Sequence, residues 1–176
     1  RYYHPSNAYI YLYGKMDIGE RLQWIDQEYL SQYDRKETDS ALPMQKPFEK
    51  MHEVYRKYSI STSESEKDNT YLSWNVSVGS SLDVKLVTAF SILEYALLSA
   101  PGAPLKQALI DAGIGKDILG SFESGILQPS FSVIAKNANP EDKEKFLCII
   151  RQTLTDSVKN GLDEKALLAG INSSEF

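Results

Sequence analysis

The side chains able to do metal or nucleophilic chemistry are few and scattered. His4 and His52 are the only histidines. A helix that aims two ligands at one metal needs them three or four positions apart. Neither histidine has a second histidine or a carboxylate at that distance further along the chain. His4 precedes Pro5, and His52 falls in an expected strand, so each reads as a surface or hydrogen-bonded residue. The one cysteine, Cys148, lies in an apolar helical run far from either histidine and reads as a buried structural thiol. A single cysteine excludes a disulfide within the chain and suits a reducing compartment. No CxxC, P-loop, GxGxxG or GxSxG pattern occurs. The serines are many, but without a placed base they are poor nucleophiles. Glu64, Glu66, Lys67 and Asp68 read as a solvated charged loop. No catalytic residue and no metal ligand is assigned from the residues.

The elements that would position any site can be read from periodicity. Residues 8–13 alternate Tyr9, Tyr11 and Tyr13 on one face with Ala8, Ile10 and Leu12 on the other, as in a strand covered on both sides. Asp17 and Glu20 have the spacing of a helix capping box. Ile18, Leu22, Ile25, Tyr29 and Tyr33 then form one helical stripe. A loop over 34–47 follows. Residues 51–58 and 70–78 read as a hairpin around a polar connection, and the second strand alternates Leu72, Trp74 and Val76 with Ser73, Asn75 and Ser77. Ser80 and Asp83 open the most apolar helix, with Leu86, Phe90, Leu93 and Leu97 expected at the centre of the core. Pro101 and Gly102 break it, and Pro104 starts a shorter helix. Strands are expected over 116–122 and 129–136. Asn139, Pro140 and Asp142 open a helix with the stripe Leu147, Ile150, Leu154 and Val158. A last helix is expected from about Asp163 to the end. The order β-α-β-β-α-α-β-β-α-α implies an α+β fold: a largely antiparallel sheet of about five to six strands with helices on one face. Residues 1–176 read as one domain, and both ends read as cuts from a longer multidomain chain.

Composition narrows the partners. With 19 basic and 24 acidic residues the chain carries a net charge of −5, which argues against nucleic-acid binding. No run reaches the roughly 18 consecutive apolar residues of a membrane span. A chain of this length can bury about 70% of its unfolded surface without staples.

The order of segments adds a family resemblance. Tyr2-Tyr3-His4-Pro5-Ser6-Asn7, the run Ile10-Tyr11-Leu12-Tyr13-Gly14 and then Asp17 resemble the opening of the second domain of pitrilysin/insulinase-type zinc metallopeptidases. Leu97-Leu98-Ser99-Ala100-Pro101-Gly102-Ala103-Pro104-Leu105 is similar to the break after that domain's buried helix. Ile126-Leu127-Gln128-Pro129-Ser130-Phe131-Ser132 and Ile171-Asn172-Ser173-Ser174-Glu175-Phe176 resemble the presequence-protease subfamily. The resemblance implies four related α+β domains closing around a peptide chamber. It implies a zinc site built on an inverted His-x-x-Glu-His motif in the first domain, outside this chain. The assisting Arg and Tyr of the fourth domain match no position here.

What the resemblance implies for this chain is a non-catalytic role. Its partners would be the other domains of the same polypeptide and unfolded peptide substrates. An edge strand that adds a peptide by strand pairing corresponds to Ile118, Leu119, Gly120, Ser121 and Phe122, with Gly120-Ser121 where the family has two adjacent glycines. The other reading of that segment is an ordinary strand ending at a bend. Ser73, Asn75, Ser77 and Ser132 are expected to face the chamber, because the alternate residues must cover the helices. The alternatives are a structural scaffold of the kind inactive relatives form, and a free-standing small-molecule sensor. The implied compartment is the bacterial cytoplasm, or else a mitochondrial or plastid matrix.

Overall fold

The computed structural model describes residues 2–174. The chain divides into two compact units, Arg1–Met44 and Gln45–Phe176.

The first unit holds a short 3₁₀ turn, Pro5–Asn7, and helix α1, Ile18–Glu28. His4 caps the turn, its Nδ1 accepting the Ser6 N–H at 3.2 Å. Asp17 caps α1 by accepting the Glu20 N–H at 3.0 Å, as the sequence spacing predicts. The stripe of α1 stays open to solvent: Ile18 and Leu22 are both more than half exposed, and no residue of the helix is buried. Residues 8–13 do not form the expected strand. Their alternation is present, since the Tyr11 and Tyr13 rings stack at 6.5 Å. A strand, however, needs a partner for its backbone groups, and this unit holds no second strand.

The second unit is α+β. Strands β1 (Thr70–Ser77), β2 (Asp117–Glu123) and β3 (Ser130–Ala138) form one antiparallel sheet in the order β1-β3-β2. The sheet therefore has three strands rather than five or six. The expected strand at 51–58 is absent, and with it the hairpin to β1. Neither alternating face of 51–58 is uniformly apolar, so no buried face fixes a register. That segment is tethered otherwise: Lys143 Nζ donates to Glu53 at 2.7 Å. Further upstream, Gln45 and Gln128 exchange two hydrogen bonds.

Helices α2 (Val84–Glu94), α3 (Pro104–Asp111), α4 (Lys143–Asn160) and α5 (Glu164–Ser174) complete this unit. Glu175 and Phe176, expected to continue the last helix, lie outside the described residues. Asp83 caps α2 through the Leu86 N–H at 3.1 Å. α2 passes into a wide π turn, Tyr95–Ser99, closed by the Ala100 N–H donating to Tyr95 at 2.7 Å. The core centre lies in this turn rather than in α2, which has no buried residue. Ala96, Leu97 and Leu98 are buried there and meet Leu105 and Leu109 of α3, Ile118 of β2, Phe131 and Val133 of β3, and Phe146 and Ile150 of α4. The stretch Val84–Asp111 has the length and composition of a membrane span, but Pro101 and Gly102 fold it back on itself around this core. Gly170 lets α5 approach α2, since a Cβ there would stand 3.3 Å from Ile92.

One polar clasp closes the end of the sheet. Asp68 and Asn137 both take left-handed backbone conformations, φ 55° and 57°. Asn139 Oδ1 accepts the Asp68 N–H at 2.8 Å, and Asn139 Nδ2 donates to Asp68 Oδ1 at 2.8 Å. Asn137 Nδ2 donates to the Asp68 carbonyl at 3.1 Å. The Asn139 N–H donates to Asp142 Oδ2 at 3.1 Å, where the sequence expects a helix to open. The clasp sits beside a bulge in the β1–β3 ladder between Thr70 and Leu72.

Candidate functional site

Alternation along the three strands sorts their residues onto two faces. Leu72 and Trp74, Ile118 and Phe122, and Phe131, Val133 and Ala135 turn toward the helices and enter or line the core. The opposite face is mostly polar. Across the strands, Asn75 stands opposite Ser132, and Ser132 opposite Ser121. In the next row Ser77 stands opposite Ser130, and Ser130 opposite Glu123. Ser73 is opposite Ile134, which is opposite Leu119. Ser73, Asn75, Ser77 and Ser132 thus share one face. Asn75 Nδ2 donates to Ser73 Oγ at 3.1 Å. Ser121 and Ser130 extend the same patch; the period-two alternation of β3 already marks Ser130.

Ile118, Leu119, Gly120, Ser121 and Phe122 all lie in β2, which pairs with β3 on one side only. Among the described residues, no strand pairs with its other edge. A sheet edge of this kind presents unpaired N–H and C=O groups to a second extended chain. Leu119 is 42% exposed on the polar face. Gly120 points the other way, toward the helices. A Cβ there would meet Leu98 Cβ at 2.7 Å and Leu98 Cδ1 at 2.8 Å, and would overlap Glu94 Oε1. The missing side chain therefore makes room for the π turn. The packing partners are a carboxylate and a leucine distant in sequence, and no local pattern signals them.

The Glu94 carboxylate is held over β2 by Ser99, whose Oγ donates to Glu94 Oε1 at 2.8 Å across the π turn. None of the ion pairs among the described residues involves Glu94.

The groups able to bind metal do not come together. The His4 Nδ1 lone pair is taken by Ser6, and its ring meets Tyr33 edge-on at 5.7 Å. His52 packs its ring on Phe48 at 4.4 Å. Among the described residues, no three His, Cys, Asp or Glu side chains converge on a point. The residues present do not fit a zinc site. Cys148 is exposed, not buried. It lies two residues from both Phe146 and Ile150, about 200° around the helix from each, and so faces away from the core.

Asp68 and Lys143 are the groups whose titration is displaced. The hydrogen bond from Asn139, with smaller help from Lys116 and Lys67, holds the Asp68 carboxyl below its usual range. The Lys143 ammonium is pushed up by its hydrogen bond to Glu53. Both are at the surface, and Asp68 is 3.6 Å from Lys116, the residue before β2.

The family model described as the peptidase M16 inactive domain matches residues 1–173. "Protein HypA" of Clostridium perfringens is 43% identical over all 176 residues, which make up 18% of that relative's length. The mitochondrial presequence protease of Danio rerio is 31% identical over 99% of the chain and 17% of its own length. Presequence protease 1 of Arabidopsis thaliana, chloroplastic/mitochondrial, is 30% identical over 100% of the chain and 17% of its own. The chain spans less than a fifth of the length of these relatives.

Proposed function

The chain belongs to the peptidase M16 inactive-domain family, and from that premise we propose that it is the non-catalytic, peptide-positioning wall of a zinc-dependent metalloendopeptidase that degrades unfolded peptides. The observation that carries this reading is the edge of β2 that no strand among the described residues pairs with, bordered by a mostly polar sheet face. An extended peptide adding to β2 would be held through its backbone, so binding would depend little on sequence. Ser73, Asn75, Ser77 and Ser132 would line the wall beside it. Zinc would be held by another domain of the full-length polypeptide, and this chain's partners would be those domains and the peptide. The proposed setting is the bacterial cytoplasm or an organelle matrix; the relatives include a protein of a bacterium and proteases named as mitochondrial or chloroplastic.

The test uses an unstructured peptide and the same peptide N-methylated at alternate backbone positions, with the protein in its natural full-length form. Strand addition predicts that methylation on the edge-facing register weakens binding at least about tenfold, because each methyl removes a donor and blocks the approach. Equal binding of both peptides in both registers would falsify the edge reading. Bound zinc and cleavage in the full-length protein are expected; their absence would favour a scaffold without peptidase activity.

A further inference from the structure

We infer that Glu94 is a specificity-determining residue, selecting a lysine or arginine side chain on the peptide that lies along β2. The inference rests on the edge-strand reading above.

The geometry starts from Gly120. In an antiparallel or parallel pair, residues opposite each other point to the same face. A peptide residue opposite Gly120 therefore directs its side chain toward the helix layer, not toward the polar face. Its Cβ would stand about 4.5–5.5 Å from the place a Cβ on Gly120 would take. That place is filled by Glu94 Oε1. A lysine or arginine stem spans such a gap with its methylenes against Leu98 and its charge on the carboxylate. A shorter or neutral side chain leaves the carboxylate without a counter-charge, its hydrogen bond from Ser99 aside.

Two further observations favour a cation there. Ser99 Oγ fixes the carboxylate at 2.8 Å, so little side-chain freedom is left to lose on binding. No ion pair among the described residues already neutralises Glu94.

The experiment measures Kd by fluorescence anisotropy with the full-length protein. A single lysine is moved residue by residue along an otherwise neutral, unstructured peptide, with norleucine as the isosteric control. At low salt, lysine at one position is expected to bind about fivefold tighter than norleucine, with weaker preference two positions away and none at odd offsets. Glu94→Gln should bring that ratio to within about twofold. In the unaltered protein the lysine preference should fade by about 1 M salt. A preference that survives Glu94→Gln, or one that survives high salt, overturns the inference. So does a scan with no preferred position while alternate N-methylation still abolishes binding, and in that case the edge reading stands without Glu94. If N-methylation has no effect, the edge reading itself falls, and this inference with it.

Discussion

Glu94 Oε1 occupies the space that a Cβ on Gly120 would need, and Leu98 closes the same space from the other side. An α-helix running straight on from α2 would present different atoms here. The π turn at Tyr95–Ser99 inserts its extra residue so that Leu98 enters the core while Glu94 and Ser99 hydrogen-bond across the turn. The glycine and the wide turn are thus two halves of one contact between strand and helix.

Gly120→Ala is the direct test of that contact. Alanine has the better strand propensity, which alone would stabilise slightly. Against it, the added methyl meets Leu98 at 2.7–2.8 Å as well as the carboxylate. Overpacking of this kind costs about 1–3 kcal/mol. The expected result in urea denaturation is a net loss of about 1–2 kcal/mol with an unchanged m-value. A neutral or stabilising substitution would mean that Glu94 swings away freely, and that the carboxylate is not fixed over β2.

The clasp around Asp68 makes stability depend on acid. Its folded-state pKa lies below the ordinary 3.8, chiefly through the Asn139 hydrogen bond. A depressed pKa contributes stability that is present above the unfolded value and lost as pH falls through the folded value. Asn139→Ala removes the main cause, together with two hydrogen bonds to Asp68. Urea midpoints of the unaltered protein and of Asn139→Ala, compared from about pH 7 to pH 2.5, should therefore differ most at and above pH 5. The gap should narrow below about pH 4. A gap that stays constant down to pH 2.5 would show that Asp68 ionisation plays no part in the clasp.

Lys143 gives the opposite sign with little consequence at neutral pH. Its pKa is raised, first by the hydrogen bond to Glu53. That contribution is complete below the ordinary 10.5 and is lost as pH rises through the higher folded value. Both partners are largely open to solvent, 42% and 62% at the side chain. Exposed pairs contribute little and are screened by salt. Lys143→Met should leave the urea midpoint at pH 7 almost unchanged, while raising protease cleavage within 45–60, the segment that Glu53 tethers. Unchanged cleavage would mean that the Gln45–Gln128 pair and the contacts of Tyr58 with Asn69 and Tyr71 hold the segment without Lys143.

Local signals were legible in the sequence and non-local ones were not. The caps at Asp17 and Asp83, Pro104 at the first position of α3, and the turn at Asn139–Asp142 all depend on residues within four positions of one another. The polar face was legible for the same reason, since Ser73, Asn75 and Ser77 alternate within one strand. The strands expected at 8–13 and 51–58 fail because alternation states that a segment could pair, not that a partner exists. Glu94 was invisible because its meaning depends on Gly120, which lies in a different element. Cys148 lies in an apolar run but on its outer side: Leu147, Ile150 and Leu154 of the expected stripe pack on the core beside Phe146, while Val158 and Cys148 are exposed.

That division yields the sharpest contrast on α4. Phe146 is 1% exposed and touches the sheet-side core, whereas Val158, in the stripe read from sequence, is 87% exposed. Phe146→Ala removes most of a fully buried ring and leaves a cavity, a loss of about 3–5 kcal/mol. Val158→Ala removes two methyls already in water and replaces a β-branched residue by the best helix former. It should be neutral or stabilise by up to about 0.5 kcal/mol. Both can be read from urea midpoints on the same preparation. Equal losses at the two positions would mean that the packed face of α4 extends to Val158. Cys148 provides an independent check, because an outward-facing thiol should react with a maleimide in the native protein at nearly the rate seen after unfolding. Protection of that thiol together with a large cost for Val158→Ala would rotate the helix by about one residue and move Phe146 out of the core.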